Sequence, residues 1–575
     1  MKSLRGYLSV HKKRMSIGLA IKAIGTLAEL FLPMIMAYMI DDVAPTGSVL
    51  SLSLWGAAMF VFAVVAWCGN VVANRMASKV ARDTTEVIRN DLFTSTLYLS
   101  ARQTDEVTIP SLVSRLSSDT YNVHNMIGMI QRLGVRVPIL LVGGVALTFT
   151  VEPVLALVLL AVVPFLSIVV IFVSSRGIVL YTDLQRAVDT MVRKVRDDYT
   201  GIRVIKALSR TDYEEKSFAD INDNVVAKET KAGVTMSITN PIMNVMLNLG
   251  MTAVVLVGAY RVSEGLAKVG EIIAFTSYFT IILNAVISIS RIFVNVSKGS
   301  ASAKRICKVL NMPDELIKDE RLSFAEEGEE KGSVKFENVS FSYNGAPALK
   351  NISFELRKGE SLGVIGATGS GKTTLVALLL RFYDADKGRI TVDGIDVRGY
   401  DEKELRAKFG VVLQNDFLMA ASVEENIKFE RDIDDESMKR AAEHAKAAPF
   451  VEALDDKYDS KLTVRGANFS GGQKQRLLIA RALAGKPEIL VLDDSSSALD
   501  YKTDSQLRAT LREKYPDTTI IMIAQRISSV RFADKILVLD KGEAVGLGDD
   551  ATLMKDCAVY RSIYDSQHDA GGEER

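Results

Sequence analysis

The chain is predicted to fold as an α-helical membrane domain of six transmembrane helices with long cytosolic extensions, followed by an α/β domain built around a phosphate-binding loop. Three observations predict it. Six apolar stretches precede residue 300, running roughly Met15–Ile40, Leu52–Ala73, Met126–Thr150, Val154–Val173, Ile238–Tyr260 and Ile272–Val294. Gly366–Thr374 reads GATGSGKTT between strand-like ESLGVI and helix-like TLVALLLRFY. Between them, Asn311–Lys331 carries Pro313 and the acidic run Glu326–Glu330, a linker composition. The boundaries that follow are 1–310, 311–331 and 332–575.

Each apolar stretch is near or above the roughly 20 residues a helix needs to cross a bilayer core. Asn74–Ser100 and Ser174–Val225 continue with apolar residues at helical spacing and charges between, as helices do when they leave the membrane. Basic residues set the orientation. The loop Asp41–Ser51 and the turn at Glu152–Pro153 carry none. The segments after the second and fourth spans carry many, among them Arg75, Lys79, Arg82 and Arg89, then Arg186, Arg193 and Lys194. Arg261 and Lys268 in the last outer loop are a weak exception. Both termini and the α/β domain are therefore expected on the cytoplasmic side of the cell membrane. Met1–Arg14, basic and mildly amphipathic, either lies on that surface or forms a tail.

Polar groups inside the spans are Lys22, Glu29, Arg132, Arg136, Asn240, Asn244, Asn248 and Arg291. Such groups are expensive in a bilayer and face a cavity or a partner. Glu29, nearest mid-span, reads either as the wall of a cation-favouring pathway or as a helix–helix contact. The three asparagines, four apart, share one helical face. The whole chain balances 70 basic against 70 acidic residues, which excludes the basic surplus of a nucleic-acid partner. Three scattered cysteines make neither a disulfide framework nor a metal cluster.

In the second half, the pattern G-x-x-x-x-G-K-[ST] places Gly366, Thr368, Gly369, Ser370, Gly371, Lys372, Thr373 and Thr374 around nucleotide phosphates. Backbone N–H groups form the nest, Lys372 adds a charge, and the Thr373 hydroxyl suits Mg²⁺. Tyr343, near the end of two strand segments in SVKFENVSFSYNG, either stacks on adenine or packs within the strand. Gln414, after the strand GVVL, reaches Mg²⁺ or water at the γ-phosphate, or is a loop amide. FSGGQ at Phe469–Gln473 predicts a capped helix start, with Ser470, Gly471, Gly472 and Gln473 offering N–H groups to a phosphate held by another copy of the domain. ILVLDD ends a strand with two carboxylates: Asp493 suits the Mg²⁺ shell and Asp494 the place of a catalytic base. SALD and the strand TIIMIAQ, ending at Gln525, follow.

Together, GATGSGKTT, Gln414, FSGGQKQR, ILVLDD and SALD resemble ATP-binding cassette (ABC) exporters of the half-transporter type, over essentially the whole chain. The resemblance implies a dimer that sandwiches ATP and Mg²⁺ between two such domains, stacking of Tyr343 on adenine, and inner hairpins near Ala101–Ile109 and Ser209–Lys216 that contact those domains. Three residues depart from the family pattern: Asp494 and Gln525 stand where it has glutamate and histidine, and Val464 where exporters often carry glutamate. Phe469 replaces the usual signature leucine. Aspartate is one methylene short, a base must come within about 3 Å of its water, and an amide carries no proton charge. The chain thus resembles the degenerate-site subunit of bacterial heterodimeric multidrug exporters. It is expected to bind ATP, cleave it slowly, and complete the competent site of a second half-transporter that carries the glutamate and histidine. Expected cargo is a small hydrophobic or amphipathic compound, drug or lipid, taken from the cytosol or the inner leaflet. The alternatives are a nucleotide-gated regulatory subunit, or a homodimeric exporter or flippase with slow ATPase.

Overall fold

Lengths of uninterrupted helix dominate the first half. The computed structural model describes residues 3–324, 331–343, 345–414, 416–495 and 497–569, without the side chains of a few helical positions such as 163, 166 and 240. The acidic run Glu326–Glu330 and the Asn240 side chain therefore lie outside the described residues. The chain forms two compact units: Met1–Tyr98 with Thr108–Met312, and Leu99–Val107 with Pro313–Arg575.

In the first unit, helices span Lys12–Tyr38, Val49–Leu97, Pro153–Thr200, Thr211–Ser237, Thr239–Ser263 and Val269–Leu310. The helix Val49–Leu97, with 49 residues, is about 70 Å long at 1.5 Å per residue, more than twice a hydrocarbon core. Five helical stretches among the described residues are long and apolar enough to cross a membrane. The expected fourth span falls inside the continuous helix Pro153–Thr200. The third stretch is interrupted by π-helical turns at Arg115–Asp119 and Ile139–Gly143.

Small residues bring the first two membrane helices together. A Cβ on Gly69 would lie 3.1 Å from Gly25 Cα and 3.3 Å from Ile21 O. Where lipid removes the hydrophobic drive, such close backbone approach is a main source of helix association. The weak exception to the charge rule also has a physical account. Arg261 pairs with Glu152 at 3.0 Å and Lys268 with Asp42 at 2.6 Å, so these two cations are neutralised locally.

The second unit holds two sheets. The strands are β1 (Val334–Tyr343), β2 (Ala346–Leu356), β3 (Ser361–Gly366), β4 (Lys387–Val392), β5 (Ile395–Asp396), β6 (Phe409–Val412), β7 (Ile489–Asp493), β8 (Thr519–Ile523), β9 (Lys535–Asp540) and β10 (Glu543–Gly548). One antiparallel sheet runs β2-β1-β4-β5; the other runs β10-β9-β3-β8-β7-β6 with only the β9–β10 pair antiparallel. β7 is buried at every residue and β3 at all but Ser361, which is why ILVLD and SLGVIG are continuous apolar runs rather than alternating ones. The two strand segments expected in SVKFENVSFSY are one strand. A positive φ of 50° at Asn338 and register shifts on both sides of it bend that strand without ending it.

The expected linker is bonded to this unit over part of its length. Arg381, 2% exposed, donates to Ile317 O at 2.9 Å, and Asp319 N–H donates to Arg398 O at 2.8 Å. Leu99–Val107 joins the same unit through Ser100 Oγ to Glu315 Oε2 at 2.5 Å, Gln103 Nε2 to Pro313 O at 2.7 Å and Tyr383 OH to Asp105 Oδ2 at 2.6 Å.

Forcing the first two membrane helices apart is expected to cost roughly 1–3 kcal/mol, as overpacking does. Gly69→Val should lower the thermal unfolding temperature of the full chain. Gly56→Ala, whose Cβ would meet only Met39 Cε at 3.9 Å, should leave it unchanged.

Candidate functional site

Three adjacent strands deliver their carboxyl ends to one place. β8 lies between β3 and β7, with Val364 and Asp493 both opposite Ile523. The residues that follow these ends, 366–374, 494 and 524–525, must therefore converge. Open α/β sheets bind ligands at such ends.

The loop after β3 turns under tight steric limits. A Cβ on Gly366 would sit 2.2 Å from Leu539 O, and one on Gly371, at φ +101°, would sit 2.5 Å from Leu349 Cδ2 and 2.8 Å from Ala348 O. Only glycine fits either position. Lys372 opens the helix Lys372–Leu379, and its Nζ donates to Gly366 O and Ala367 O, both at 2.8 Å. Burial lowers the Lys372 pKa, opposed by Asp493 and Asp494. Gly366 and Ser370 are buried at the base of the loop, and Ser370 Oγ has no hydrogen-bond partner among the described residues.

Asp493 ends β7 only 2% exposed. Burial raises its pKa against a hydrogen bond from Thr373, and Oδ2 has no partner among the described residues. A buried carboxylate oxygen with nothing to accept from, beside a threonine hydroxyl, fits a hydrated divalent cation. Asp494 follows in the left-handed region at φ 51°. Aspartate enters that region more readily than longer side chains because its short polar group bonds locally. Its N–H donates to Ile523 O at 2.9 Å, and its carbonyl accepts from Ser497 Oγ at 2.9 Å. Burial raises its pKa too, opposed by Lys372 and Arg526.

A cleft of about 340 Å³ collects these groups: Tyr343, Thr368, Gly369, Gly371, Lys372, Thr373, Thr374, Gln414, Asp493, Asp494 and Gln525 line it. Tyr343 stands at its edge, T-shaped to Phe341 at 4.8 Å and to Tyr383 at 5.3 Å. Tyr383 in turn bonds Asp105, so an edge-on aromatic contact connects the cleft to Leu99–Val107. The donor set fits a nucleotide phosphate chain with Mg²⁺: backbone N–H groups and Lys372 for the phosphates, Thr373, Gln414 and Asp493 for the metal.

Ser470, Gly471, Gly472 and Gln473 are not brought to this cleft. They open the helix Gly471–Ala484 in a reciprocal capping box. Gln473 N–H donates to Ser470 Oγ at 3.3 Å, and Ser470 N–H donates to Gln473 Oε1 at 2.8 Å. Gly472 faces the SALD turn, where a Cβ would lie 3.1 Å from Ala498 O. Phe469, 9% exposed, packs edge-on to Phe450 at 6.1 Å, while Val464 is 74% exposed.

Sequence reasoning missed Gln567. From the helix Ala558–Asp569 its Nε2 donates to Gln525 O at 2.8 Å and its Oε1 accepts from Ile527 N–H at 2.9 Å. One amide thus holds the backbone on both sides of Arg526. No motif marks it, because its partners are 40 and 42 residues away.

Family comparisons agree with this geometry. The model of the ABC transporter transmembrane region matches residues 15–286, and a second model, described as ABC transporter, matches 349–497. An uncharacterized ABC transporter ATP-binding protein of Mycobacterium tuberculosis is 33% identical over 571 residues, 98% of this chain and 97% of that protein. YfiB of Bacillus subtilis, of the same description, is 32% identical over 579 residues and the whole of both chains. Among solved structures, a bacterial Atm1-family ABC exporter with ATP bound superposes with a TM-score of 0.81 at 24% identity, over 97% of this chain and 99% of that one.

Lys372→Ala should weaken Mg²⁺–ATP binding by about tenfold or more, the scale of a lost charge-assisted hydrogen bond. Equilibrium titration with a fluorescent ATP analogue reads this. Gln567→Ala should speed amide exchange over 525–527 and leave Thr519–Ile523 protected, as hydrogen-exchange mass spectrometry would show.

Proposed function

We propose, on the premise that this chain belongs to the ABC transporters and is an exporter half of one membrane domain and one nucleotide-binding domain, that it is the slow-site member of an unlike pair. As a multi-pass membrane protein with an ABC ATPase domain it is a subunit of an ATP-driven exporter, and such exporters work as dimers of halves. The finer reading rests on one observation. Asp494 and Gln525 line the same cleft as Lys372 and Asp493, while the Ser470–Gln473 helix start is capped and free of that cleft.

In this reading, Tyr343 stacks on adenine and the loop 366–374 holds the phosphates. Thr373, Gln414 and Asp493 hold Mg²⁺, which supplies charge neutralisation when bound. Asp494 and Gln525 sit where a base and a switch would act. The carboxylate is set back by one methylene, and the amide can hydrogen-bond a phosphate oxygen but cannot take up a proton. ATP is then held and seldom cleaved here, and the intact signature serves a competent site on the partner. The cargo is a hydrophobic or amphipathic compound moved out of the cytoplasm across the cell membrane, with the nucleotide-binding domain and both termini on the cytoplasmic side.

Full-length protein purified alone should bind Mg²⁺–ATP but turn it over far below the roughly 10 per second typical of enzymes. Asp494→Glu combined with Gln525→His should raise that rate by about a hundredfold, the usual yield of a positioned general base. Brisk turnover by the unmodified chain alone would overturn the slow-site reading.

A further inference from the structure

Charge inside the apolar stretches is mostly positive. The six spans contain four cations, Lys22, Arg132, Arg136 and Arg291, and a single carboxylate, Glu29. That carboxylate is committed: Arg136 NH2 donates to Glu29 Oε1 at 2.8 Å and Oε2 at 3.2 Å. Glu29 is thus a helix–helix contact, and the cation-favouring wall expected from it is not what its neighbours make.

The other three cations have no carboxylate partner among the described residues. Lys22, 2% exposed, donates to the side-chain oxygens of Asn70 at 2.7 Å and Asn74 at 3.0 Å. Arg132 donates to Ser78 Oγ at 3.2 Å. Amide and hydroxyl oxygens solvate a cation but leave its charge standing. Arg132, Arg136 and Glu29 are close enough to Lys22 to act on it electrostatically, and those four groups sum to two positive charges. Arg136 Nε is buried with no hydrogen-bond partner among the described residues. Uncompensated charge among apolar helices is costly and marks a group awaiting a partner.

Depth points to the source of that partner. Lys22 bonds Asn70 and Asn74 and Arg132 bonds Ser78, residues that bracket the end of the second apolar stretch at Ala73, so both cations sit at the inner boundary of the spans. That is where an amphiphile entering from the inner leaflet would carry its headgroup. We propose that the partly exposed Arg132, with the sealed charge of Lys22 behind it, receives the anionic headgroup of the exported compound, so that the cargo is a carboxylate- or phosphate-bearing amphiphile. This rests on the export reading above and narrows its cargo to one sign of charge.

The test is equilibrium binding to the full-length chain in phosphatidylcholine nanodiscs without nucleotide, with partition into empty discs subtracted. Oleate and oleylamine share a tail and differ in charge. Oleate should bind about tenfold tighter, the scale of one charge-assisted contact. Arg132→Gln should erase the preference, and Arg132→Lys should keep most of it. Equal affinity for the two amphiphiles overturns the proposal, as does a preference that survives Arg132→Gln. A resident anionic lipid is the rival source of the same headgroup. If phosphatidylglycerol discs displace bound oleate, the site belongs to the lipid and the cargo assignment falls; retained oleate supports it. Because binding is read without ATP, failure of ATP-driven uptake into inverted vesicles would count against export and leave this result standing.

Discussion

The close packing of the 366–372 loop against the strands beneath it is the constraint on which the nucleotide-binding half depends. A loop whose N–H groups must turn inward cannot carry side chains where the backbone meets Leu539 O or Ala348 O. It also needs a rigid floor, and the fully buried β7 and nearly buried β3 provide one. From that floor the other groups follow by strand adjacency. Asp493 and Gln525 enter the same cleft because β7 and β8 pair in register beside β3.

The same floor gives Asp494 its setting. The chain leaves β7 through a left-handed residue, a conformation in which aspartate is more at home than glutamate. The shorter side chain there is therefore compatible with its local backbone as well as altered in reach. Gln567 then fixes the backbone on either side of Arg526, so the segment after β8 is braced from the C-terminal helix as well as from the sheet.

In the membrane half the controlling quantity is charge in a poor solvent. Helices must place every ionisable group against something, and the solutions differ in kind. Glu29 and Arg136 neutralise one another, whereas Lys22 is only solvated by two asparagines. Arg261 and Lys268, at either side of the turn between the last two helices, find carboxylates nearby. The contrast between Arg261 and Lys268, each on a carboxylate, and Lys22, held only by amides, is electrostatic information that hydropathy alone does not carry.

Much of this was legible in the residues themselves. Apolar lengths marked the membrane helices, and GATGSGKTT with its flanking segments marked a strand, a tight loop and a helix, because both signals are local in the chain. The order of strands within the sheets, by contrast, comes from the structure alone. What the chain order did not reveal are contacts between distant segments: Glu29 with Arg136, Asp105 with Tyr383, Gln567 with the backbone of Gln525 and Ile527, and the grouping of Leu99–Val107 with the second unit. Each depends on which helix faces come together, and that is set by packing over the whole molecule. The sequence by itself determined which residue types stand at the ends of strands and inside the spans. Only the tertiary structure decided their partners, since a charge or an amide is satisfied by whatever folding brings within 3 Å of it.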